Sequence, residues 1–167
     1  IAHRTSPTNI GLYLLSTACA RDFGWIGTLE SVERLEATLA TIGQMELFRG
    51  HLYNWYDTQD LHPLEPKYIS TVDSGNLAGH LLTLANSCRE WMEKSFVGPH
   101  LLSGLRDTGQ LLRERLARIA DTPRTHMVTL KQLSTSVDAI MASIDPLPVD
   151  SADWAMRFKE CSAQAQT

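Results

Sequence analysis

The sequence predicts an all-α chain. Apolar residues recur every three or four positions over most of its length, capping residues with Gly or Pro bracket those runs, and no convincing stretch alternates as a strand would. Six helices account for the pattern.

Ser6 before Pro7 opens the first helix, because a serine oxygen can accept from the free amides of a first turn and proline's fixed φ suits the first helical position. It is expected from about Pro7 to Phe23, stopped by Gly24. The second follows Gly27, with Thr28 as expected cap and Leu29, Val32, Leu35, Leu39 and Ile42 at helical spacing. Glu30, Glu33, Arg34 and Glu36 take its wet face, a solvated charge run rather than a catalytic set. Gly50 ends the regular pattern, and Pro63 and Pro66 punctuate an irregular stretch to about Val72. A third helix is expected to start at Asp73 or Ser74 and to run through Leu77, Leu81, Leu84, Cys88, Trp91 and Met92 to the break at Gly98-Pro99. Leu101, Leu105, Leu112, Leu116 and Ile119 mark a fourth, open to interruption at Gly104 or Gly109. Met127, Leu130, Leu133, Val137, Ile140 and Ile144 mark a fifth. After Asp145-Pro146-Leu147-Pro148, a sixth spans Asp150 to Ala165 with Trp154, Phe158 and Cys161 on one face.

A chain of 167 residues with 43% hydrophobic and 20% charged residues can bury a core, which excludes disorder over its whole length. Residues 1–98 carry seven Lys/Arg against eleven Asp/Glu and residues 99–167 eight against eight, so neither part has a basic field for nucleic acid. The longest uncharged run, Thr5 to Ala20, is shorter than the ~20 apolar residues of a membrane span. The opening Ile1-Ala2-His3-Arg4 reads as a segment cut from a longer protein. Cys19, Cys88 and Cys161 have no paired spacing and are expected as buried free thiols of a reducing compartment. His51, His62, His80, His100 and His126 include no i, i+4 pair, and neither a phosphate loop nor a nucleophile elbow is present. No metal, no cofactor and no catalytic residue is assigned.

Ten of the twelve aromatic residues fall in residues 1–98, so chemistry is sought there. The segment from Arg49 to Thr58 places Tyr53, Trp55, Tyr56 and Asp57 in a connection between helices, where binding groups commonly sit on a fixed scaffold. Aromatic faces suit the C–H faces of sugar rings, and Asp, Asn and His can hold sugar hydroxyls. Equally, these rings can plug the end of a helical bundle with their polar atoms satisfied. Composition does not choose between the two. In the second segment, Ser70 to His80, Asp73 is read first as a helix cap. Otherwise Asp73 and Asn76 face a ligand in one pocket with Asp57, and Gly75 and Gly79 admit a close backbone. Thr5, Ser6 and Asn9 either cap the first helix or line a cleft beside it.

The stretches Thr5-Ser6-Pro7-Thr8-Asn9-Ile10-Gly11-Leu12-Tyr13, Asp22-Phe23-Gly24-Trp25-Ile26-Gly27, Arg49 to Asp57 and Ser70 to His80 closely resemble the central region of bacterial cyclic β-1,2-glucan synthases. The resemblance covers about residues 1–92; from Glu93 onward no motif is recognised. It implies a fragment of a very large inner-membrane protein that joins a glycosyltransferase region using UDP-glucose, a central glycoside-hydrolase-like cyclisation region and a phosphorylase-like region. The central region is an (α/α)6 barrel that closes linear β-1,2-glucan into a ring by retaining transglycosylation, which needs two carboxyl groups about 5–5.5 Å apart. The family's glutamate motifs, resembling SGSMFEYLMP and SESAYN, do not occur here. The resemblance therefore implies a helical part of the barrel without the catalytic pair, inactive alone, with residues 1–98 as its N-terminal helices and sugar-binding loops and residues 99–167 as further helices or an insertion. Tyr53, Trp55, Tyr56, Asp57, Asp73 and Asn76 are the implied glucan-binding residues. Expected partners are a β-1,2-glucan chain and the remaining domains of the parent, on the cytoplasmic side of the inner membrane. Part of a barrel would bare apolar helix faces, so the isolated chain is expected to dimerise or rearrange. The competing expectation is a helical interaction module that packs against the parent without touching sugar.

Overall fold

A computed structural model describes residues 3–119, 127–144, 148 and 150–166. Among them are six helices: α1 (Pro7–Asp22), α2 (Thr28–Ile42), α3 (Thr71–Glu93), α4 (Pro99–Ala117), α5 (Met127–Ser143) and α6 (Ser151–Ala165). His126 and the break read at Asp145, Pro146 and Leu147 lie outside the described residues.

The helix starts follow their capping chemistry. Ser6 Oγ accepts from the Asn9 amide at 3.2 Å and the Ser6 carbonyl from the Ile10 amide at 3.0 Å, so the hydroxyl is spent on α1. Gly27, not Thr28, holds the cap position of α2; Thr28 is already helical, and its hydroxyl accepts from Arg21 Nε at 3.2 Å. The expected start of α3 is corrected by one turn: Ser70 is its cap, accepting from the Asp73 amide at 3.1 Å. Asp73 therefore lies in the first turn with its carboxylate free for other partners. Asp150 caps α6 through the Asp153 amide at 2.8 Å, and α4 runs unbroken through Gly104 and Gly109.

Periodicity did not anticipate four two-residue strands. β2 (Leu47–Phe48) and β3 (His51–Leu52) pair antiparallel around Arg49 and Gly50, both at positive φ (51° and 84°), so Gly50 turns a tight hairpin rather than merely ending a helix. β1 (Arg4–Thr5) pairs antiparallel with β4 (Tyr56–Asp57), Arg4 opposite Asp57 and Thr5 opposite Tyr56. This second pairing ties the start of α1 to the aromatic connection.

The chain divides into two compact units. The first, residues 1–22 and 26–96, is built on α1 and α3. Thr8 bonds Asp73 at one end, Gly11 meets His80 within, and Asp22 bonds Trp91 at the other end, so the two helices run parallel with both N-termini on one side. The close approach that the sequence suggested for Gly75 and Gly79 occurs instead at Gly11, where a Cβ would strike the His80 ring; nothing lies within 4 Å of the Cβ positions of Gly75 and Gly79. α2 runs antiparallel to α1, its end near the start of α1 around Asn9, Ile10, Thr41 and Ile42. Ile10, Leu14, Ala18, Leu35, Met45, Leu52, Tyr56, Leu84 and Trp91 form the core.

The second unit, residues 23–25 and 97–167, contains α4, α5 and α6. Gly109 against Met141 and the Arg113–Asp138 ion pair at 2.5 Å set α4 and α5 antiparallel. Arg157 Nη1 donates to the Ser143 carbonyl at 2.7 Å, holding α6 to α5, and Leu102, Ile144 and Cys161 form the core. The expectation of three buried thiols is corrected: Cys161 is buried and Cys88 half-buried, but Cys19 is exposed, because it falls one residue past Ala18 on the wet side of α1. No helix of the described residues is long and apolar enough to cross a membrane.

The glycines give a test of opposite signs. Gly11→Ala should destabilise the chain by roughly 1–3 kcal/mol through overpacking against His80, whereas Gly79→Ala, in open space, should stabilise it by about 0.5–1 kcal/mol. Urea unfolding of both variants checks the pair.

Candidate functional site

Where α1 and α3 begin side by side, β4 and the residues before it cross their ends, and a hydrogen-bond cluster forms. The Thr8 hydroxyl donates to Asp73 Oδ1 at 2.6 Å, and Asn76 Nδ2 donates to Thr8 Oγ1 at 3.1 Å. Oriented by its partners, the buried Asn54 amide donates to Asp73 Oδ2 at 2.9 Å while its carbonyl accepts from Trp55 Nε1 at 2.7 Å and the Tyr68 hydroxyl at 2.5 Å. Both segments singled out in the sequence thus meet at one carboxylate. The Ser70 hydroxyl first, and then the Thr8 hydroxyl, hold Asp73 below the ordinary aspartate range, so it is ionised near neutral pH.

The six candidate residues take different places around this cluster. Trp55, Asp73 and Asn76 belong to it. The Trp55 ring is half-buried, and the Arg4 guanidinium lies 4.7 Å from its centroid, a cation–π contact that covers one face. Tyr53 is half-buried beside it in sequence, edge-on to Tyr56 with centroids 6.4 Å apart. Tyr56 takes the plugging place that the sequence also allowed for these rings. Its relative exposure is 0%, and its hydroxyl donates to the Glu46 carbonyl at 2.6 Å and accepts from the Tyr53 amide at 2.8 Å. Burial pushes its phenol pKa up, as expected for a neutral internal strut.

Asp57 is also differently placed than expected. Its Oδ1 accepts from the Gln59 amide at 2.7 Å and its backbone amide bonds the His62 carbonyl, so the side chain closes its own turn. No hydrogen bond links it to Asp73 among the described residues.

Two clefts flank the cluster's sequence neighbours. One of about 360 Å³ is lined by Thr5, Asn9, Tyr13, Thr38 and Thr58 over a floor that includes Ile10, Ile42 and Met45. Another of about 500 Å³ has Pro7, His51, Leu52, Ser74, Gly75 and Leu77 among its walls. The first is rimmed by hydroxyls over an apolar base, a pattern that fits a neutral polyol better than an ion. Among the described residues no group of His, Cys, Asp and Glu is arranged to hold a metal.

Sequence reasoning missed Asn54, which bridges the two segments, and Thr8, Tyr68 and Arg4, which complete the shell. Only Asn54 carried a signal: it is a polar residue enclosed by Tyr53, Trp55 and Tyr56, and an amide in such company has to find partners once buried.

No protein-family model matches the chain. Over 128 residues, 75% of its length, it is 52% identical to the cyclic beta-(1,2)-glucan synthase NdvB of Rhizobium meliloti (strain 1021). The matched stretch is 4% of that protein. The chain is therefore a relative of a short segment of a much larger glucan synthase.

The lowered Asp73 pKa fixes the sign of a pH effect. Its stabilisation is fully present above the unfolded aspartate pKa of about 3.9 and is lost as pH falls through the lower folded value. Asp73→Asn should cost roughly 1 kcal/mol at pH 7. That difference from the parent sequence should shrink steadily below about pH 4, as urea titrations at several pH values would reveal.

Proposed function

We propose that this segment of a cyclic β-(1,2)-glucan synthase comes from the region that cyclises linear β-1,2-glucan by retaining transglycosylation. In this reading it supplies part of a glucan-binding surface while the bond-breaking carboxyl pair lies elsewhere in the parent. The observation that carries it is the convergence of Trp55, Asn54, Asp73, Thr8 and Asn76 where α1 and α3 begin. An ionised carboxylate ringed by hydroxyl and amide groups, beside a partly exposed indole, offers acceptors, donors and an apolar face together.

Retention in such a reaction requires a nucleophile and an acid/base about 5–5.5 Å apart. Asp73 accepts hydrogen bonds that hold it ionised and keeps lone pairs beyond those given to Thr8 and Asn54, which suits orienting a sugar hydroxyl and not protonating a leaving oxygen. Asp57 is committed to its own turn. Neither is assigned a catalytic role. The parallel pairing of α1 and α3 with α2 antiparallel beside α1 also supports a place in an (α/α)6 barrel, whose inner helices run parallel. Residues 1–98 would then be its first helices and residues 99–167 further helices or an insertion. The parent would act at the cytoplasmic side of the inner membrane.

A second reading rests on exposed apolar side chains of α3. Leu82 is 70% and Met92 84% exposed, which suits a module that packs against other domains of the parent or against a second copy.

Calorimetric titration with linear β-1,2-glucan separates the two. Saturable binding, weakened about tenfold, or roughly 1.4 kcal/mol, by Asn54→Ala or Asp73→Ala, is expected from the glucan reading. Absence of binding by a chain that remains folded overturns it. No cleavage or cyclisation product should form, and turnover by the purified chain would show that the catalytic pair had been misplaced.

A further inference from the structure

We infer that Phe23 and Trp25 form a second glucan-contact platform, on the unit that contains α4 and distinct from the Asp73 cluster. The two rings are 56% and 58% exposed, with centroids 5.0 Å apart and planes inclined at 35°. Exposed aromatics are ordinary when isolated. These are held in place by three separate devices.

Gly24, between them, has φ +75°, a conformation that L side chains rarely adopt. Its backbone packs directly on α4: a Cβ at Gly24 would strike the His100 carbonyl, and a Cβ at Gly104 would strike Gly24 itself. Nearly one helical turn beyond Gly104, Asp107 Oδ2 accepts from Trp25 Nε1 at 3.1 Å, which fixes the indole's orientation. The turn is thus clamped to one face of α4 while both rings remain in water. A turn that only needed to connect two helices would require none of this.

The ligand class follows from the rim. The Asp107 carboxylate beside the indole retains lone pairs beyond the one used by Nε1. An apolar protein surface laid over the rings would strip water from that carboxylate and leave those lone pairs without donors. A pyranose covers the rings with its C–H face and offers hydroxyl donors to the carboxylate. The inclined pair suits a chain whose successive rings are not coplanar, as 1,2-linkage produces. The choice of β-1,2-glucan as the sugar rests on the function proposed above; the platform itself rests on residues 23–25 and α4.

Fluorine NMR of the chain carrying 5-fluorotryptophan tests the two sites separately. The four tryptophans, Trp25, Trp55, Trp91 and Trp154, are assigned by single Trp→Phe variants. On titration with linear β-1,2-glucan, the Trp25 resonance should shift saturably, and Phe23→Ala should weaken that response roughly two- to tenfold, as loss of one ring contact implies, with the Trp91 resonance unmoved as a check on folding. A saturable shift at Trp55 with none at Trp25 overturns the platform and leaves the first site standing. A shift at Trp25 alone supports the platform and removes the first site. Silence at both overturns both.

Discussion

The parallel contact between α1 and α3 is the constraint on which the first unit depends. It is fastened at three levels: a hydroxyl–carboxylate bond at the start, a glycine giving way to a histidine ring within, and an indole–carboxylate bond at the end. At that far end the Arg21 guanidinium lies 5.0 Å from the centre of the Trp91 ring and pairs with Asp22 at 3.0 Å, so a buried cation, a ring and a carboxylate close the interface together. Each fastening is specific in position along the helix, which fixes the register of one helix against the other. Everything at the opposite end, including the meeting of residues 54–57 with residues 70–76, inherits that register.

The candidate cluster shows how a capping pattern releases a carboxylate for other use. With Ser70 as cap, the amide of Asp73 is satisfied and its side chain turns across to α1. Had Asp73 itself been the cap, its oxygens would have been consumed by its own helix. The shift of one turn in the start of α3 is therefore what separates a structural aspartate from one positioned between two segments. Arg4 performs a comparable service for Trp55, covering one face so that the ring is held by charge as well as by its N–H.

Much of the fold was legible because helices announce themselves locally. Ser6-Pro7 and Asp150 marked starts and Gly98-Pro99 a break, through backbone chemistry that operates within a few residues. What could not be read depends on contacts distant in sequence. The two-residue strands have no periodicity to detect, and β1 with β4 joins positions more than fifty residues apart. The burial of Tyr56 follows from the Glu46 carbonyl and the core around Leu14 and Leu84, none of which its neighbours reveal. The glycines misled for the same reason: sequence shows where a side chain is missing, not what stands opposite. Asn54 was passed over because an amide between aromatics looks like filler until its distant partners, Tyr68 and Asp73, are in place.

Two helices aligned side by side in the same direction carry their macrodipoles in repulsion, a cost that an antiparallel pair avoids. Here both positive poles emerge together at the starts of α1 and α3, and the ionised Asp73 sits in the first turn between them. The carboxylate thereby acts as counter-ion to a field generated by two backbones at once, offsetting part of the cost of aligning them.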